Sequence, residues 1–216
     1  MNLKKELPLI AIVLLPFIYL GYVWNQLPAK VPVHWNIHGE IDRYGGKTEL
    51  LLIPFLLPFL VYLIFLAIPK IDPKGKIDKM GNKYQSLKLL MISFMSILAL
   101  FLIYSAKNQS FANPNYLLLL LGLLYVILGN YLKTIKSNYF IGIRTPWALE
   151  NEEVWKETHN LGGKMWFLGG ILVILSSLIF EKQINFIVFI GITAIITLVP
   201  VIYSYMVYKR LKEEVN

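Results

Sequence analysis

Six long stretches of this chain carry no Asp, Glu, Lys, Arg or His, with polar intervals of very unequal length between them: Leu7 to Trp24, Leu50 to Ile68, Leu89 to Tyr104, Tyr116 to Leu132, Met165 to Phe180 and Ile184 to Val207. A hydrocarbon core about 30 Å thick needs about 20 apolar residues in a helix, so four runs match that length and the third and fifth are short for it. Lipid offers no partner to backbone N–H and C=O groups, which leaves helices and closed barrels as spanning structures. Continuous apolar runs predict helices, whereas barrel strands alternate. A water-soluble fold would need amphipathic helices to cover these runs, and the sequence has few polar faces. The pattern therefore predicts an all-α integral membrane protein, a bundle of six transmembrane helices occupying residues 1–216 as one domain.

Charge sets the orientation, because cytoplasmic flanks collect Lys and Arg. Of the 21 basic residues, 16 fall in alternate polar segments: the N-terminal tail, Lys70 to Lys88, Lys133 to Lys164 and Lys209 to Lys212. The other three loops hold Lys30, Arg43, Lys47, Lys107 and Lys182. Both termini are thus expected in the cytoplasm of a multi-pass cell-membrane protein. The net charge of +8 is accounted for by these flanks, where anionic headgroups attract cations, so no direct nucleic-acid partner is expected. Lys4 and Lys5 ahead of the first run suggest a signal peptide, but Val23-Trp24-Asn25-Gln26 is no small-residue cleavage site and the run is expected to stay as a span. With no cysteine, disulfides, thiolate metal sites and a cysteine nucleophile are excluded.

Within the runs, Pro16, Pro54, Pro58 and Pro200 each remove a donor and free a carbonyl that a neighbouring helix or hydroxyl must satisfy. They read as packing kinks or, near Pro54 and Pro58, as a hinge. Gly122, Gly129, Gly169, Gly170, Ser176 and Ser177 mark close helix contacts. Apart from hydroxyls, the polar side chain noted in the spans is Asn130 near a span end. A transporter coupled to ions or protons normally carries ionisable groups in its path, so that function is disfavoured.

Chemistry is therefore sought in two loops. The outer one, residues 25–49, alternates from Val31 to Ile37 around Pro32, as a short extended segment does, while Gly39 and Gly45-Gly46 suit turns. His34, His38, Glu40 and Asp42 are weak candidates for a divalent metal; the simpler reading is a hydrogen bond between His34 and Asp42 within the loop. Trp35 and Tyr44 read as interfacial anchors.

In the inner loop, residues 133–164, Thr145-Pro146 has the form of an N-cap with proline at the first helical position, starting a turn through Leu149. Asn151 before Glu152-Glu153 marks a second helix start. Trp155, Thr158, His159 and Gly162 then share one face. This predicts one short cytoplasmic amphipathic helix with Trp155 inward and Glu150, Glu153 and Glu157 toward water. Arg144, one of three arginines, is placed to pair with Glu150 or Glu153 or to hold a partner carboxylate.

The run Asn138-x-x-Ile141-Gly142-Ile143-Arg144-Thr145-Pro146-Trp147, followed by Trp155, Thr158-His159-Asn160 and Gly163-Lys164, resembles the signature of the SdpI family of multi-pass membrane proteins. Pro32-x-His34-Trp35-Asn36-x-x-Gly39-x-x-Asp42, with Lys47 beyond, resembles a small domain of unknown function often found at the N-terminus of such proteins. The resemblance implies immunity to a secreted peptide toxin, with no cofactor and no enzymatic activity. In the founding system it also implies capture of a transcriptional repressor at the membrane. The outer residues His34, Trp35, Asn36, Gly39, Asp42 and Lys47 then face the toxin. The inner set Asn138, Gly142, Arg144, Thr145, Pro146, Trp147, Trp155 and His159 faces the repressor. Rival readings are a small-solute transporter or channel and a metal-dependent membrane enzyme. Against the enzyme stand the missing His-Glu-x-x-His and Gly-x-Ser-x-Gly motifs.

Overall fold

A computed structural model describes residues 3–36, 40–109 and 113–215. Its described elements in chain order are helix α1 (Leu3–Val23), strands β1 (Lys30–Trp35) and β2 (Ile41–Gly46), and helices α2 (Lys47–Ile71), α3 (Asn82–Lys107), α4 (Asn115–Leu132), α5 (Pro146–Glu150), α6 (Glu152–Ile179) and α7 (Lys182–Val215). All the helices except α5 are long and apolar enough to cross a membrane. Leu14, Ile18, Leu56, Leu172, Ile187 and Leu198 are exposed along their flanks, as lipid-facing side chains are. The protein is a multi-pass α-helical membrane protein with, among the described residues, one small β-hairpin.

The chain divides into two compact units, Met1–Ile71 with Asn82–Pro114 and Asp72–Gly81 with Asn115–Asn216. In the first, α1, α2 and α3 pack around two apolar clusters. Leu9, Val13, Tyr62 and Ile92 form one; Leu20, Val23, Leu27, Val31, Leu50, Ile103 and Ala106 form the other, which seats the hairpin on the helix ends. In the second, α6 packs against α4 and α7. Gly129 and Gly163 meet backbone to backbone, where an added Cβ on either would lie 2.8 Å from the other's carbonyl oxygen. Gly122 and Gly170 repeat the contact two turns along. Small residues let helix backbones approach in lipid, where dispersion rather than water expulsion drives association.

Three prolines are met by side chains of neighbouring helices. Pro16 cannot donate to the Ile12 carbonyl, and Ser96 Oγ donates to it at 3.0 Å. Pro69 frees the Phe65 carbonyl, which takes the Tyr84 hydroxyl at 2.6 Å. Pro200 frees the Ile196 carbonyl, which takes the Trp166 indole N–H at 3.0 Å. The region of Pro54 and Pro58 is resolved differently: Phe55–Phe59 is a single π turn, in which Leu60 N–H reaches back to the Phe55 carbonyl.

Two polar features lie where the sequence shows only apolar runs and their edges. Lys88 is 2% exposed and its Nζ lies 2.8 and 2.7 Å from the two carboxylate oxygens of Glu6, itself buried, while the Tyr62 hydroxyl donates to Glu6 at 3.1 Å. The sequence reading places Lys88 in a loop and finds no charge within the helices; the packing of α1, α2 and α3 instead encloses this pair. In the second unit Asn185, fully buried, donates to Asn115 Oδ1 at 2.9 Å and Ser177 Oγ at 3.2 Å, and accepts from Ser176 Oγ at 2.7 Å. Asn115 in turn donates to the Phe180 carbonyl at 3.0 Å. Asn130, the amide singled out from sequence, is exposed.

Candidate functional site

The outer loop is a hairpin with two irregularities. Pairing runs Lys30 to Gly46, Val31 to Gly45, Pro32 to Tyr44, His34 to Arg43 and Trp35 to Ile41, leaving Val33 and Asp42 without cross-strand partners. Such bulges twist a strand pair and re-aim its side chains. Beside them, His34 Nδ1 and Asp42 Oδ1 are 2.6 Å apart, an exposed pair that matches the hydrogen bond expected from sequence. Asn36 closes the turn: its N–H donates to the Glu40 carbonyl at 2.9 Å, its Oδ1 accepts from Glu40 N–H and its Nδ2 donates to Glu40 Oε2, both at 3.0 Å. Lys47 lies 4.9 Å over the Trp24 ring. His38 and Gly39, and the side chain of Trp35, lie outside the described residues. Among the described residues no cluster of three His, Cys, Asp or Glu side chains is positioned for a metal. Gly45 and Gly46, read as turn residues, belong to β2; Gly46 N–H donates to Glu49 Oε1 at 2.9 Å, tying the strand to the first turn of α2.

The inner loop forms a clasp within the second unit. Asn138, 1% exposed, has its amide saturated: Nδ2 donates to the carbonyls of Lys136 and Ile141, and Oδ1 accepts from the N–H groups of Phe140 and Ile141. Gly142 follows at φ +106°, and a Cβ there would collide with His159 Nε2. The close approach lets Ile143 N–H donate to His159 Nε2 at 3.0 Å, with His159 Nδ1 2.8 Å from the Trp155 carbonyl. These partners require neutral histidine with its proton on Nδ1. The Trp155 ring stacks on His159 at 4.0 Å, and its indole donates to the Ile135 carbonyl at 2.8 Å.

Thr145 caps α5 by backbone position alone; its hydroxyl lies 3.2 Å from Ser204 Oγ, which also receives the Trp147 indole at 2.7 Å. Pro146 occupies the first position of α5. Trp147 further packs on Tyr205 and Tyr208. Arg144 is exposed and donates to the Tyr139 carbonyl at 2.6 Å, not to Glu150 or Glu153. Lys74 lies 5.1 Å over the Tyr139 ring, and hydrogen bonding to Tyr139 raises its pKa above the usual lysine value.

Asn151 caps α6 as its sequence position implies, accepting from the N–H groups of Glu153 and Val154. The helix it starts differs from the expected short amphipathic one. Residues Glu152–Ile179 are a single helix whose first turns bury Val154, Trp155, Thr158 and His159 and expose Glu153, while Glu157 accepts from the Tyr203 hydroxyl at 3.0 Å. It runs without a break through Gly162, Gly163 and Lys164. Beside the clasp opens a cleft of about 630 Å³ lined by Lys133, Lys136, Lys156, Glu152, Glu153 and Glu157, with Trp155 and His159 at its back.

Of the eight inner residues singled out from sequence, Asn138, Gly142, Thr145, Trp155 and His159 are consumed in building the clasp; Arg144, Trp147 and Pro146 retain surface. Ser204 is the residue the sequence reading missed, and its only signal is a hydroxyl among the tyrosines of α7.

Residues 134–204 match the SdpI/YfhL protein family and residues 11–57 match a domain of unknown function, DUF1648; together the two matches cover more than half of the chain. The first ends at Ser204, the anchor of Thr145 and Trp147, and the second spans the hairpin and the part of its seat from Leu20 to Leu50. Over 209 residues the chain is 25% identical to the immunity protein SdpI of Bacillus subtilis (strain 168), 97% of this chain and 98% of that one. A stretch of 49 residues is 47% identical to an uncharacterized protein of Archaeoglobus fulgidus, 23% of this chain and 26% of that one. No solved structure matches.

Proposed function

We propose, from the match of residues 134–204 to the SdpI/YfhL family and of residues 11–57 to DUF1648, that this chain protects the cell membrane against a secreted antimicrobial peptide. The observation that carries this reading is likeness over nearly the full length of both chains to a protein named for immunity. Protection works by binding, without turnover. The hairpin of residues 30–46 meets the peptide outside, and both termini and the clasp lie in the cytoplasm, a reading that the distribution of Lys and Arg supports.

On the inner side, a transcriptional repressor docks on the surface that the clasp leaves free: Arg144, the edge of Trp147 and the cleft bearing Lys133, Lys136 and Lys156. The guanidinium has donors beyond the one spent on Tyr139, and a planar fork suits a partner carboxylate. Trp155 serves this surface indirectly, by holding the clasp together.

Expression in cells sensitive to such a peptide tests the immunity reading: survival should rise at membrane levels matched to an inactive control, and unchanged killing would sink it. For the inner surface, Arg144→Ala should leave insertion intact and abolish recruitment of the repressor to membranes. Recruitment that survives the change removes Arg144 from the interface.

A further inference from the structure

Between the hairpin and the helix ends of the first unit lies a second, smaller pocket of about 250 Å³, lined by Pro32, Val33, Leu50, Leu52, Ile53, Leu102 and Ala106, with Arg43 and Glu49 as its charged members. Ligand pockets for drug-sized molecules start at roughly 300 Å³, so this one suits one or two apolar side chains and is too small for the paired chains of a phospholipid. Its two charges are unequal. Glu49 is held to the hairpin, its Oε1 accepting from Gly46 N–H. Arg43 pairs with His34 through the strands, but its exposed guanidinium has, among the described residues, no hydrogen-bond or ion-pair partner. Val33, on the same wall, is the bulge residue that no residue of β2 faces.

We propose that this pocket binds the carboxyl terminus of an apolar peptide: the last side chain enters between Leu52, Ile53 and Leu102, the carboxylate takes the Arg43 fork, and the peptide backbone lies along Val33. The chemistry follows from the placement. An apolar recess with one uncommitted guanidinium at its rim selects an amphiphile ending in a carboxylate, for which arginine offers two parallel N–H donors. The identity of the peptide as a secreted toxin rests on the immunity reading above; the pocket chemistry does not.

The experiment uses purified full-length protein in phosphatidylcholine nanodiscs, with N-acetyl-Leu-Phe as the probe in its free-acid and amide forms, read by saturation-transfer NMR. The acid should bind about ten-fold more tightly than the amide, as a charge-assisted contact does. Arg43→Gln, a change at an exposed position, should bring the acid down to the level of the amide. Leu102→Trp, filling the recess, should weaken both. Equal binding of acid and amide, no binding of either, or an acid preference that survives Arg43→Gln overturns the proposal. So does displacement of both forms when phosphatidylglycerol replaces part of the phosphatidylcholine, which would make a lipid the occupant. A protein that rescues cells yet shows no acid preference refutes this pocket alone. One that prefers the acid yet gives no rescue refutes the immunity reading alone.

Discussion

Single residues decide whether polar chemistry can exist inside this apolar chain. Glu6 and Lys88 are buried together with two short contacts and the Tyr62 hydroxyl, so each neutralises what would otherwise be an isolated charge. Removing one partner leaves the other without compensation, which typically costs about 3–5 kcal/mol, whereas replacing both by apolar groups is often nearly neutral. Glu6→Leu should therefore lower the thermal unfolding midpoint in detergent, and Glu6→Leu with Lys88→Met should recover most of the loss, both followed by circular dichroism. Equal loss in the single and double variants would mean that the pair adds net stability. The sequence hides this pair because each member sits at the edge of an apolar run, where a charge reads as a flank, and 82 residues separate them. His34 and Asp42, eight residues apart in one loop, were legible for the opposite reason.

At the scale of elements, length and apolarity were enough to find six helices, since lipid demands uniform apolar cover whatever lies next to it. Boundaries were less legible. The fifth apolar run starts at Met165, yet α6 begins at Glu152, because an unbroken helix satisfies its backbone whether its side chains meet lipid, protein or water. The second strand was missed because Gly45 and Gly46 carry turn chemistry; their pairing with Val31 and Lys30 is imposed by the seat that buries Val31. Freed carbonyls were anticipated at Pro16 and Pro200 but not at Pro69, and the partners were not legible at any of them, since a capping side chain comes from a distant helix. Trp166 and Pro200 allow a direct test. Trp166→Phe leaves the Ile196 carbonyl unsatisfied at a cost of about 1–3 kcal/mol. In a Pro200→Ala background the helix can supply its own donor, so the same change should cost about 1 kcal/mol less, measured as a double-mutant cycle in chemical denaturation.

For the whole molecule the decisive quantity is sidedness, which rests on where Lys and Arg fall along the chain. The chain contains no cysteine, so single cysteines can be introduced on a silent background. Tyr44→Cys, at an exposed hairpin position, should react with an impermeant maleimide added to intact cells. Lys136→Cys should react only after permeabilisation. Labelling of both in intact cells would place the hairpin and the clasp on one side and undo the two-sided reading of function.

The carbonyl caps carry a consequence for synthesis. Ile12 waits for Ser96 and Phe65 waits for Tyr84, donors that leave the ribosome well after the carbonyls they serve, whereas Trp166 is already made when Pro200 emerges. A nascent chain stalled before residue 84 therefore carries two acceptors without their donors. Such a fragment should be held by the insertion machinery or degraded, and a fragment released just past residue 107, with both donors in place, should be the shortest piece of the first half to survive in the membrane.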